Sequence, residues 1–264
     1  DSNPGEAIAH YEQVRDGREF LSANNRIGYL LISTGQLERN HHWFDQQREA
    51  NPGRREQLYS LEADLLIQAG ATDAALQVLN QALAETPEAA GLLYARSMLS
   101  EQQGDLGQME RDLRRIIASD PDNATALNAL GYTLANRTER YTEAFELVSR
   151  ALELQPDEPA ILDSMGWVLY RTGRYEEAVD YLTRAYAAFP DPEVAAHLGE
   201  VLWITGDTDA ATAVWRGALL KDPDHDILNS TLKRLGVSPL GLSSLGDKLP
   251  DSAIPGGSPA ETHP

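Results

Sequence analysis

Cysteine is missing from all 264 positions, which excludes disulfides, thiol catalysis and thiolate metal sites. Lysine is scarce, occurring only as Lys221, Lys233 and Lys248, and 41 acidic against 22 basic side chains leave a formal charge of -19. So little positive charge cannot neutralise a phosphate backbone, and nucleic acid is not an expected partner. No apolar run approaches the roughly 18 residues of a membrane-crossing helix. The opening DSNPGEAIAH has neither the basic nor the apolar region of a signal peptide. Catalytic patterns are lacking too: H-E-x-x-H, G-x-S-x-G, G-x-G-x-x-G and the phosphate-binding loop do not occur, and the carboxylates are scattered as on solvated helix faces. His41 and His42 are adjacent, which on a helix turns them about 100° apart and off a common chelating face. No cofactor, metal or enzymatic activity is expected.

What the chain does have is a period. Proline recurs at Pro52, Pro87, Pro121, Pro156, Pro190 and Pro223, at intervals of 35, 34, 35, 34 and 33 residues, the mark of one supersecondary unit stacked on itself. Before four of these prolines a small-large-small pattern returns: Ala75, Leu79, Ala82; Ala144, Val148, Ala151; Ala178, Leu182, Ala185; Ala211, Trp215, Ala218. Such spacing puts three residues on one helix face. After the proline a second helix follows, clearest as Leu127, Leu130, Gly131, Leu134, then Leu162, Met165, Gly166, Leu169, then Ala195, Leu198, Gly199, Leu202. The small residues mark where two helices nearly touch.

Gly35, Gly70, Gly104, Gly173 and Gly206 fall between the helices of a pair, where a short turn favours a residue that tolerates positive φ. The fourth pair has Arg137-Thr138-Glu139 instead. Each proline stops a helix, and capping residues such as Asp122-Asn123 and Asp191-Pro192 start the next. Two pairs depart from the pattern, with Asn40 and Gln47 in the first and Met109 and Ile116 in the third. An adjusted helix crossing is expected there.

Over residues 19–223 this pattern resembles the tetratricopeptide repeat (TPR) family. The resemblance implies an all-α fold, a right-handed α-solenoid of about six helix pairs. Residues 1–18, with Glu6, Ala7, Tyr11 and Val14, read as the second helix of a repeat whose first helix lies upstream, so a fragment of a longer array is expected. Its exposed apolar face would favour self-association. Residues 224–236 read as a capping helix and 237–264 as a Pro/Gly/Ser-rich tail. If that tail docks, its anchors are Leu240, Leu242, Leu245 and Leu249.

In this family the first helices line an inner wall that binds a protein or peptide. Carried over position by position, that wall holds Asn25 and Tyr29; Ser60 and Asp64; Tyr94 and Met98; Asn128, Tyr132 and Asn136; Asp163, Trp167, Tyr170 and Arg171; and Glu200 and Trp203. Tyrosine, tryptophan and arginine dominate interface energies because they combine large area with a directional polar group. Trp167 and Trp203 read equally well as packing against the adjacent helix pair. Without lysine in these helices, the carboxylate clamp of some family members is not expected. Asparagine, tyrosine, tryptophan and aspartate suit an extended peptide or a helix.

A narrower resemblance lies in Gly131-Tyr132, Asp163-Ser164-Met165-Gly166-Trp167 and His197-Leu198-Gly199-Glu200. Over about residues 85–235 the chain is similar to the C-terminal half of a proteobacterial TPR lipoprotein family attached to the outer membrane and facing the periplasm. That resemblance implies an adaptor for a carboxyl-terminal processing serine protease acting on periplasmic substrates, peptidoglycan hydrolases among them. The lipid-bearing cysteine would belong to an N-terminal part not present here. The alternatives are a structural assembly scaffold of the envelope and, from composition alone, a cytoplasmic location.

Overall fold

The computed structural model describes residues 4–238, so the tail leucines from Leu240 onward lie outside the described residues. Regular structure among the described residues is helical throughout. The chain divides into two compact units between Ala126 and Leu127. The first contains α1 (Pro4–Tyr11), α2 (Phe20–Ser33), α3 (Leu37–Ala50), α4 (Arg55–Gln68), α5 (Thr72–Glu85), α6 (Ala90–Gln102) and α7 (Leu106–Ser119), with a 3-10 turn at Pro52–Arg54. α8 (Ala124–Arg137) starts at the division. The second unit continues with α9 (Tyr141–Leu154), α10 (Pro159–Arg171), α11 (Tyr175–Ala188), α12 (Pro192–Thr205), α13 (Thr208–Lys221) and α14 (Asp226–Leu235). No helix among the described residues is long and apolar enough to cross a membrane.

The helix boundaries follow local rules. Pro159 and Pro192 occupy first helical turns, where a missing N–H costs nothing. Side chains of Asp105, Asn123, Asp191 and Asp207 accept from backbone N–H groups of the helices they precede. Gly206 sits at φ 95° behind α12, in the left-handed region open to glycine. The pair without a turn glycine closes differently. Thr138 Oγ1 donates to the Leu134 carbonyl and accepts from the Arg140 N–H, replacing the left-handed turn with a side-chain bridge.

Packing explains the recurring small residues. Ala75, Ala82, Ala144, Ala151, Ala178, Ala185 and Ala211 are wholly buried. A Cβ added at Gly131 would lie 2.6 Å from Val148 Cγ2, one at Gly166 2.5 Å from Leu182 Cγ, and one at Gly199 2.1 Å from Trp215 Nε1. The first-helix backbone of each pair therefore lies directly against the second helix. Gly199→Ala is expected to destabilise by about 1–3 kcal/mol, since the wholly buried Trp215 must shift. Gly91→Ala, with open space around it, is expected to stabilise by about 0.5–1 kcal/mol. Urea unfolding midpoints of the two variants should move in opposite directions.

The departures adjust as volume requires. Met109 and Ile116 are buried in place of alanines, and Asn40 is accommodated opposite Gly28, whose added Cβ would stand 3.2 Å from Asn40 Oδ1. At the last helix, Leu228, Thr231 and Leu232 are buried while Asp226, Ser230 and Lys233 are exposed. α14 thus covers the apolar cluster around Trp215, Ala211 and Ala218 and turns a polar face outward.

Candidate protein-binding site

In the second unit the first helices α8, α10 and α12, with α14 beside them, meet through a chain of polar and aromatic contacts. His197 is buried, and its Nδ1 lies 3.0 Å from both carboxylate oxygens of Asp163. Its Nε2 is 3.5 Å from Tyr132 Oη, while the Tyr132 hydroxyl donates to Glu193 at 2.9 Å. With that hydroxyl proton directed at Glu193, the phenol oxygen faces the imidazole as an acceptor, an arrangement suited to a ring protonated on both nitrogens. Burial alone would lower the His197 pKa, but Asp163, Glu193 and Glu200 outweigh it and hold it above the usual histidine value. Trp167 stacks on the imidazole, ring centroids 4.2 Å apart at 26°, a geometry that favours the cation.

A second link begins at Tyr170, whose ring is 5.0 Å from that of Trp167 and whose hydroxyl donates to Glu200 at 2.9 Å. Burial, together with Glu200, raises the Tyr170 pKa. Arg234 of α14 donates to the other Glu200 oxygen. Arg171 donates to the Tyr141 hydroxyl at 2.7 Å and to the Asn136 carbonyl at 3.4 Å.

The structure thus brings Tyr132, Asp163, Trp167, Tyr170 and Glu200 into one network, with Arg171 and Asn136 at its margin. Asp163, Trp167 and Glu200 are 7%, 6% and 2% exposed, so they build the wall rather than present themselves to a ligand. Trp203 is half-buried against Trp215, ring centroids 5.7 Å apart, within the cluster under α14. Half-buried on the wall are Tyr132, Asn136, Tyr170 and Arg171, together with Asn128, whose Oδ1 is itself buried.

In the first unit Asn25 and Asp64 are exposed, Tyr94, Ser60 and Met98 half-buried. Tyr29 is 57% exposed and stands over a groove of about 330 Å³ lined by Ile32, Leu65 and Ala69, with Ser33 and Gln68 at its polar edge. That groove can hold an apolar side chain.

Sequence reasoning missed His197, Glu193 and Arg234. The available signal was register: His197 lies 34 residues after Asp163, one repeat on. It also missed an ionic cluster inside the first unit. Glu62 is wholly buried, ten residues after Pro52, where Gly131 and Gly166 follow their own prolines. Arg48 donates to Glu62 and to Asp45, both at 2.6 Å, while His41 Nδ1 and Asn40 Nδ2 approach the other Glu62 oxygen at 3.0 and 3.4 Å. Burial raises the Glu62 pKa against the pull of Arg48 and His41. The Arg48 guanidinium lies 4.1 Å from the Tyr59 ring, and burial with the Glu85 hydrogen bond pushes the Tyr59 phenol to about 12. His41 is therefore a hydrogen-bonding partner of a buried carboxylate, and no cluster able to hold a metal ion occurs among the described residues.

Two models of the tetratricopeptide repeat match the chain, one over residues 122–191 and the other over residues 60–108 and 164–226. A TPR repeat-containing protein of Pseudomonas aeruginosa is 49% identical over 229 residues, 87% of this chain and 39% of that protein. The chain thus spans well under half of that relative's length. A TPR protein of Thermus thermophilus has a similar structure, with a TM-score of 0.60 and 23% identity over 69% of this chain and all of that one. One from Parabacteroides merdae also has a TM-score of 0.60, with 14% identity over 85% of this chain and 96% of that one. The period, the backbone contacts between paired helices and these matches agree: the chain belongs to the tetratricopeptide repeat family, whose repeats are modules of protein–protein interaction.

Proposed function

We propose that the protein is a non-catalytic adaptor that binds a carboxyl-terminal processing serine protease of the bacterial envelope and brings substrates to it. In this reading it works in the periplasm, held at the outer membrane through an N-terminal part of a longer protein. The observation that carries the binding role is the state of Tyr132 and Arg171, half-open to solvent yet each held in place by neighbouring helices. Side chains fixed before the encounter lose little entropy on binding, so their area and hydrogen bonds convert efficiently into affinity. The amides of Asn128 and Asn136 lie on the same α8 face as Tyr132, and together they suit the main chain of an extended segment or a helix. The identity with the Pseudomonas aeruginosa relative supports a proteobacterial setting.

The test is the rate at which a purified carboxyl-terminal processing protease cleaves an unstructured substrate, with and without this chain. An adaptor raises that rate, and the chain alone cleaves nothing. A second reading, a structural scaffold of the envelope, draws on the fact that Tyr132, Asp163, Tyr170 and Glu200 of the wall bond to adjacent helices. It predicts an unchanged cleavage rate.

A further inference from the structure

The second helices of the second unit leave a groove of about 310 Å³, distinct from the first-helix wall. Phe145 and Leu152 of α9 form one side, Tyr181 of α11 the other, and Met165 and Leu169 of α10 the floor. The floor is buried and the three side residues are half-buried, so apolar surface stays open at the mouth. The phenylalanine on the α9 side is, at its repeat position, peculiar to that helix among the six pairs. One residue past the template alanine, where α9 has Phe145, the first, third and sixth pairs carry His41, Glu110 and Thr212.

The charges around the mouth are lopsided. Arg174 lies against Phe145, its guanidinium carbon 5.4 Å from the ring, and both its Nε and Nη2 donate to Glu177. Arg150 donates to Glu153 at 2.8 Å. Arg184, its guanidinium carbon 5.2 Å from the Tyr181 ring, lies 4.0 Å from Asp180, so each nearby cation is matched by a carboxylate three or four residues away. Glu146, exposed on α9 one turn before the groove residue Ser149, has no cationic partner among the described residues. An apolar slot under excess negative charge has a defined complement: an apolar side chain with a cation one helical turn away.

We propose that this groove docks a cationic amphipathic helix of a partner protein, with an aliphatic or aromatic side chain between Phe145, Leu152 and Tyr181 and a lysine or arginine beside Glu146. Because the groove lies on second helices and the wall on first helices, the two surfaces engage different chains. The formal charge of -19 steers such a cationic segment toward the protein.

The test is calorimetric titration of the whole chain with a synthetic amphipathic helix of leucine and lysine, and with its counterpart carrying glutamate for lysine. The lysine peptide binds and the glutamate peptide does not. Ser149→Arg, which places a bulky cation in the groove without removing packed atoms, weakens binding about tenfold or more. Glu146→Lys weakens it by roughly threefold to tenfold, more at low salt. Tyr132→Ala with Arg171→Ala leaves it unchanged, as does Glu56→Lys on the first unit, and circular dichroism verifies that each variant is folded. Equal binding of the two peptides, or no binding, overturns the proposal. Binding that survives Ser149→Arg but is lost with Tyr132→Ala and Arg171→Ala also overturns it while leaving the first-helix wall intact as a binding surface. Self-association of the parent chain that Ser149→Arg abolishes makes a second copy the occupant and overturns it as well.

Discussion

Arg48→Ala is expected to lower the free energy of unfolding by about 3–5 kcal/mol, because it leaves the Glu62 carboxylate buried without its main counter-charge. Arg48 and Glu62 are 3% and 0% exposed. The guanidinium is held on three sides, by Glu62, by Asp45 and by the Tyr59 ring, so no neighbour can replace it. His41 reaches Glu62 but is itself half open to water, and its charge is screened there. The double variant Arg48→Met with Glu62→Leu should recover most of the loss, since apolar replacement of both partners removes the desolvation cost along with the attraction. Urea unfolding followed by circular dichroism gives the global change, and amide exchange in α3 and α4 gives the local one. A double variant as unstable as Arg48→Ala would mean that the cluster is held by shape rather than by charge pairing.

Asp163→Ala is expected to cost about 3–5 kcal/mol at pH about 6, and also to change how stability responds to pH. In the parent chain the buried His197 faces Asp163 and Trp167 from α10, Tyr132 from α8, and Glu193 and Glu200 on its own helix, with Arg234 of α14 bonded to Glu200. Its folded pKa lies above the value of about 6.5 that it has when unfolded. The folded chain therefore holds the proton more tightly than the unfolded one. The stability this contributes is fully present below pH about 6.5 and is lost as pH rises through the raised folded value. Parent stability should fall across that window, and the fall should be much shallower in Asp163→Ala, where the largest raising influence is gone. Thermal unfolding in a pH series reads both, and parallel curves for the two proteins would contradict the assignment of the proton to His197.

The fold was legible because its signals are local and repeated. Proline spacing, small residues at the crossings and turn glycines each bear on one helix boundary or one close approach: Gly131 and Gly166 lie against the backbone of the second helix, and Gly199 lies against the Trp215 ring. The turn at Thr138 was not legible, since a hydroxyl bridge leaves no mark in composition. The wall was legible as a set of positions but not as a division of labour. Asp163 and Glu200 read as surface groups, yet their partners His197 and Arg234, each 34 residues further on, draw them into the interior. Trp167 follows, because the imidazole it covers is buried. Glu62 was invisible for a related reason: a carboxylate at a position usually held by glycine makes sense only once Arg48 is seen beside it.

The binding account rests on the exposed part of the wall, and calorimetric titration of a purified carboxyl-terminal processing protease tests it most directly. The parent chain and a folded variant with Tyr132→Ala and Arg171→Ala are compared. The account predicts binding by the parent chain and a loss of about 2–4 kcal/mol, roughly thirtyfold or more in Kd, in the variant. Equal affinity in the two chains, or no binding by the parent, would contradict it.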